Sequence, residues 1–189
     1  MALLAEQLVE EWLNRKGFFT IRGMRLGVNE IDLLAIKPTP TGIEARHVEV
    51  QVSFRPISYL GKLTKKEQKE LGYKSANSAG KRPARVIKAG IAAWVDKKFF
   101  SAKKRKMRGM VLSEAKWQYQ LVHAEVHHQD ELKFIQKHGV KTIRLDSVVA
   151  ELCASKHPFS MGAGTDISEL IRYCPQPNAK GGKRLAHLA

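Results

Sequence analysis

The sequence predicts an α/β domain built on a mixed central sheet flanked by helices. Three observations carry that prediction: an amphipathic helical stretch opens the chain, three β-rich runs follow it, and helical and strand patterns then alternate in the order αβαβα. With 189 residues, 43% of them apolar, the chain can bury one good core but not two. The expected organisation is one domain over residues 1–155, carrying a basic and partly helical insertion at about 55–110, and a tail over 156–189 with one short helix.

Leu4, Leu8 and Trp12 recur at helical spacing together with Ala5, Val9 and Leu13, so Leu3 to Lys16 is expected to form a helix closed by Gly17. On its wheel Glu6 falls beside Leu13 at the edge of the apolar arc, while Glu10 and Glu11 are expected farther out toward water. Phe18 to Arg22 is a short strand. Glu30 to Ile36 and His47 to Ser53 are two more, joined through Pro38-Thr39-Pro40-Thr41-Gly42 as a hairpin with a longer loop. Arg55 to Arg82 is polar, lysine-rich and helical around Lys65 to Leu71, and Pro83 fits the first turn of a second long helix. That helix turns Val86, Ile87, Ile91, Trp94 and Val95 toward the sheet. Beyond the Lys103 to Lys106 cluster, Trp117 to Val126 alternates as a strand, Asp130 to His138 is a helix and Val140 to Leu145 a last strand. Asp146 is placed to cap a helix reaching Leu152, and an Asp166 to Glu169 capping box opens the short helix of the tail.

The net charge of +15 is concentrated in one part of the chain. Residues 1–60 hold seven Lys/Arg against seven Asp/Glu, residues 61–110 hold sixteen against three, and residues 111–189 hold ten against eight. A positive segment of that density is the footprint of a phosphate-backbone partner, although a solvated face has the same composition. The residues expected to grip phosphates are Lys62, Lys65, Lys66, Lys81, Arg82, Arg85, Lys88, Lys103, Lys104, Arg105, Lys106 and Arg108. Tyr59 and the Gly80-Lys81-Arg82 loop are further candidates for the nucleic-acid backbone. A membrane partner is not expected, since the basic stretch does not divide into one cationic and one apolar face. Two cysteines, Cys153 and Cys174, do not frame a disulfide scaffold, and the first helix has acids rather than a basic leader. Both features predict a cytoplasmic protein.

Chemistry is expected where two strands carry acids. Glu49 and Gln51 share a face of the His47 to Ser53 strand, a pattern that an ordinary half-solvated strand also has. Asp32 is less ordinary, since aspartate is depleted in strands and this one lies among Ile31, Leu33, Leu34 and Ala35. Two adjacent carboxylates repel until a cation sits between them, which favours a metal ion over a single basic side chain. Glu6 is the third acid able to face the same region, and it equally suits a helix N-terminus. His123, Glu125 and His127 alternate on one face and Cys153 lies four before His157, but no paired CxxC or helical HxxxH supports zinc. Trp94, Phe99 and Phe100 are expected in the core.

The order Glu6, Gly17-Phe18-Phe19, Asn29-Glu30-Ile31-Asp32-Leu33-Leu34-Ala35 and Val48-Glu49-Val50-Gln51 resembles the PD-(D/E)xK nuclease superfamily, most of all its archaeal Holliday-junction-resolvase and restriction-endonuclease-like branches. The motifs cover about the first 55 residues. The resemblance implies a restriction-endonuclease-like three-layer core and a DNA endonuclease dependent on Mg²⁺ or Mn²⁺, acting on duplex or branched DNA, with a homodimer among the options. It implies Asp32 and Glu49 as metal ligands, the Val50 carbonyl as a third oxygen, and Glu6 supporting the ion or its water. The chain departs from the family at Gln51, where lysine is usual: an amide can orient water but can neither take a proton nor carry charge. Lys62, Lys65 or Lys66 are the expected sources of the missing charge. Two alternatives follow: a degenerate nuclease fold that binds nucleic acid without cutting it, and an RNA-associated interaction protein.

Overall fold

The first helix fixes where the sheet lies. In the computed structural model, which describes residues 2–154 apart from Phe54, helix α1 (Ala2–Arg15) buries Ala5, Leu8, Val9, Trp12 and Leu13 against Leu33, Ala35, Val48 and Val50. Gly17, at φ 82°, takes the left-handed conformation that ends the helix and turns the chain into strand β1 (Phe19–Leu26). Glu11 corrects the expected wheel: it is 1% exposed and pairs with Arg15 at 2.7 Å. Three residues after Leu8 and next to Trp12, it lies beside the buried stripe. The tail helix expected at Asp166 to Glu169, and His157, fall outside the described residues.

Strands β2 (Asn29–Thr39) and β3 (Gly42–Gln51) complete an antiparallel meander with β1. The turn between them is tighter than the Pro-rich cluster suggests. Pro38 stays in the strand opposite Ile43, and only Pro40 and Thr41 remain for the turn. After β3 come α2 (Lys65–Leu71), opened by a reciprocal Thr64 and Glu67 capping box, and α3 (Ala84–Val95). A π-helical turn over Asp96–Phe100 and helix α4 (Ala102–Val111) follow, where the sequence showed only a cluster of charges. Strand β4 (Trp117–His123), helix α5 (Gln129–Lys137), strand β5 (Val140–Arg144) and helix α6 (Leu145–Ala154) close the fold.

The sheet runs β1-β2-β3-β4-β5, with β3, β4 and β5 parallel. This is the α/β arrangement with a mixed sheet flanked by helices that the sequence predicts. Val122, Val148 and Leu152 join α1 on one face, while Ile91, Val95, Phe99, Leu121 and Ile135 form the core on the other. Met107 of α4 packs on Ile31 and Leu34. Among the described residues, no helix is long and apolar enough to cross a membrane.

The segment between β3 and α2 is tied down by buried charge. Glu131 of α5 accepts hydrogen bonds from Leu60 N at 2.7 Å and Gly61 N at 3.2 Å, and Arg82 donates to the carbonyls of Gly61, at 2.6 Å, and Ser78, at 2.8 Å. Gly61 also lies against Gly90 of α3, so closely that a Cβ on Gly61 would stand 2.9 Å from the Gly90 carbonyl carbon. A Cβ on Gly90 would meet nothing nearer than 3.6 Å. Gly61→Ala is therefore expected to destabilise by about 1–3 kcal/mol, and Gly90→Ala to stabilise by roughly 0.5–1 kcal/mol through helix propensity. Urea midpoints at unchanged slope measure both.

Candidate active site

Leu33 pairs with Val48 and Leu34 with His47, so Asp32 falls opposite Glu49, one step past the end of that ladder. On its other flank Asp32 faces Gly23, a position the β1–β2 ladder skips and where φ is 64°. Where the strands part, Asp32 Oδ2 accepts a hydrogen bond from Val50 N at 2.8 Å. The side chain thus replaces a backbone acceptor.

Glu49 is 1% exposed, and its charge is met on both oxygens. His47 Nε2 at 2.9 Å and Lys104 Nζ at 2.6 Å donate to Oε1, and Lys98 Nζ at 2.6 Å donates to Oε2. Lys104 also donates to the Glu30 carbonyl. Arg108 Nη1 lies 2.9 Å from His47 Nδ1 and can only donate, so Nδ1 is the acceptor and the ring proton sits on Nε2, aimed at Glu49. Burial, with Arg108 and Lys104 adding to it, pushes the His47 pKa down to about 4, which keeps the ring neutral. Burial alone would raise Glu49; the His47 N–H and the two ammoniums outweigh it and hold the carboxyl at about 2.

Asp32 has the opposite fate. Burial, reinforced by the charge of Glu49, pushes its pKa up to about 6 despite Lys98 and the Val50 N–H. Glu6, half-buried on α1, is raised by burial and by Glu30, with Glu49 adding and Arg22 and Lys98 opposing. The three acids singled out in the sequence therefore feel one another's charge. Among the described residues, no three His, Cys, Asp or Glu side chains are grouped so as to hold a metal ion. His123, the centre of the zinc alternative, is buried with Nδ1 donating to the Ala124 carbonyl at 2.7 Å.

The cation beside Gln51 comes from an unexpected place. Lys98 lies in the π-helical turn, whose wider spacing sends Phe99 into the core and Lys98 toward β3. Burial alone would lower its pKa, but Glu49 and Asp32 outweigh that and raise it. Lys98 and Gln51 both line a cleft of about 530 Å³, together with Tyr59, Lys62, Asn77, Ala93, Trp94 and Lys97. Lys62 thus reaches the cleft, while Lys65 and Lys66 stand exposed on α2 outside its lining.

Three of the residues expected to grip phosphates are used internally. Arg82 is 6% exposed, holds the Gly61 and Ser78 carbonyls and packs 3.9 Å from the Tyr59 ring centre. Lys104 and Arg108, each 4% exposed, serve Glu49 and His47, and Arg108 also donates to the Phe99 carbonyl at 2.7 Å. Phosphate contact by these three is therefore corrected: each is buried and donates to acceptors inside the protein. Lys62, Lys65, Lys66, Lys81, Lys88, Lys103 and Lys106 are exposed, as are Arg85, paired with Glu70, and Arg105, which donates to the Phe100 carbonyl.

No family model matches the chain, and no curated protein matches it. Among solved structures, the crystal structure of a protein of unknown function, AF1548, is similar with a TM-score of 0.44 and 14% identity over 76% of this chain. The chain spans 58% of the length of that structure.

The two acids are expected to respond in opposite ways to loss of charge. An ionised Asp32, raised in the fold, costs stability above its ordinary pKa of 3.8, and the cost is fully developed above about 6. Asp32→Asn is expected to stabilise at pH 7.5 by roughly 1–3 kcal/mol, allowing for partial solvent screening, and to give no gain near pH 3. Glu49→Gln, which strands Lys104 without its counter-charge, is expected to cost about 3–5 kcal/mol. Thermal and urea unfolding across that pH range read both signs.

Proposed function

We propose that the protein is a DNA endonuclease dependent on Mg²⁺ or Mn²⁺, with a restriction-endonuclease-like core in which Asp32 and Glu49 hold the ion and Lys98 takes the place of the lysine missing at Gln51. The single observation that carries this reading is Lys98 Nζ at 2.6 Å from Glu49 Oε2, within the charge of Asp32, at the wall of a cleft that Gln51 also lines. The αβββ opening and the mixed sheet are consistent with such a core.

The donor set fits a hard cation. Mg²⁺ is commonly held by one or two carboxylates, with waters and substrate phosphate completing its shell, so two acids at the ends of neighbouring strands are enough. When bound, such an ion supplies an acidified water and offsets charge on the scissile phosphate. Asp32 and Glu49 would hold it, with the Val50 carbonyl as a further oxygen and Glu6 orienting a ligand water. His47 and Lys104 keep Glu49 ionised through Oε1. Oε2 is the oxygen that faces Lys98, whose side chain is 29% exposed and so reachable from the cleft. With substrate bound, Lys98 would turn from Glu49 to a phosphate oxygen, and Gln51 would orient a water by hydrogen bonding. The exposed lysines of residues 61–110 hold the flanking backbone, which positions the substrate without reading its sequence.

A catalytically degenerate binding protein is the second reading, and one observation favours it. Glu49 is already neutralised by two ammoniums and an N–H, so the site is electrically complete without a metal. Cleavage of plasmid and branched DNA in Mg²⁺ or Mn²⁺ separates the two. The nuclease reading expects Asp32→Asn, the variant predicted to be more stable, and Lys98→Ala each to lose about 100-fold or more in rate, with Lys65→Ala, one of several backbone contacts, losing far less. Wild-type cleavage that is absent, or equal in the Asp32 and Lys98 variants, rejects it. Tighter binding to structured RNA than to DNA overturns the substrate class.

A further inference from the structure

Resting on the nuclease reading above, we propose that the cleft beside Lys98 takes a single unstacked nucleotide, so that the preferred substrate is DNA with an unpaired nucleotide next to the scissile phosphate. A volume of about 530 Å³ falls within the range of pockets that enclose small ligands, and a stacked duplex cannot enter it. Its floor takes Gly90, Ala93 and Trp94 from α3 and Lys97 from the π-helical turn that follows, where the small Ala93 leaves room beside the indole. Trp94 packs edge-on to Phe99, with ring centres 6.2 Å apart, and remains only half-buried. Stacking of a base on such a ring is sequence-tolerant, because every base has a π face.

Tyr59 plays a different part. His128 stacks on its ring at 4.0 Å and the Arg82 guanidinium lies 3.9 Å from the same centre. Two groups that close cannot share one face, so the ring is sandwiched, and Tyr59 offers the cleft its edge and hydroxyl rather than a stacking surface. Gln51 and Asn77 add amide donors and acceptors able to meet a base edge, and Lys62 and Lys97 add positive charge for the adjoining phosphates. The cleft is thus aromatic, amide-lined and cationic, and it begins at the lysine that touches Glu49. Those are the chemical needs of a nucleotide drawn out of the helix.

The test is fluorescence anisotropy in Ca²⁺, which blocks turnover, with a labelled duplex containing one bulged nucleotide and the same duplex fully paired. The expected result is a preference of about 10-fold or more for the bulge, reduced several-fold or abolished by Trp94→Ala, in line with the stacking of one base. Ala93→Leu, which fills the floor without touching the core, is expected to do the same should Trp94→Ala fail to fold. Asp32→Asn is expected to keep the preference. Equal affinity for the two duplexes, or a cleft variant that weakens both equally, overturns the proposal. Cleavage without preference rejects the cleft and spares the nuclease; preference without cleavage rejects the nuclease and leaves nucleotide capture standing.

Discussion

The Glu49 carboxylate sits where water does not reach it, and an ion in that position persists only when its surroundings replace the lost hydration. Here the replacement is drawn from three separate parts of the chain. His47 lies two residues away on the same strand, Lys98 comes from the π-helical turn and Lys104 from the helix after it. Each supplier is held by something else: His47 by Arg108, Arg108 by the Phe99 carbonyl, Lys104 by the Glu30 carbonyl. The packing of α4 and the π turn against β2 and β3 is therefore as much an electrostatic closure as an apolar one.

That closure has a cost next door. With Glu49 kept ionised, Asp32 must either share the cationic charge or accept a proton near neutrality, and its raised pKa records the conflict. In the proposed reading such a carboxylate would take a second cation. Functional sites are often where a fold tolerates an arrangement that a purely structural design would neutralise. Asp32 fits that description; burial raises Glu131 as well, but two backbone N–H groups meet its carboxylate and no second carboxylate adds to the rise.

Strand alternation made it legible that Asp32 and Glu49 lie on neighbouring strands, but the register that sets them opposite each other depends on a turn tighter than the Pro-rich sequence suggests. The electropositive middle of the chain was legible as well. Its internal division was not. A run of charges has no visible inside, yet Lys104, Met107, Arg108 and Val111 recur at helical spacing, and the two apolar members mark the buried face. Lys98 gave no such signal. A π-helical turn shifts the register by one residue, and nothing in Asp96-Lys97-Lys98-Phe99-Phe100 announces it. The burial of Arg82 was equally hidden, since it depends on carbonyls of Gly61, Ala76 and Ser78 that only the folded loop gathers.

Two acids of unequal acidity, one locked and one strained, form the proposed seat for a divalent ion. Titration of Mn²⁺ into the DNA-free protein, followed by electron paramagnetic resonance at pH 5 and pH 8, measures that seat. One saturable ion is expected at pH 8, weakened at pH 5 as Asp32 takes up its proton, and lost in Asp32→Asn. No saturable binding in the wild-type protein at pH 8, or binding that ignores both the pH and the substitution, would contradict it.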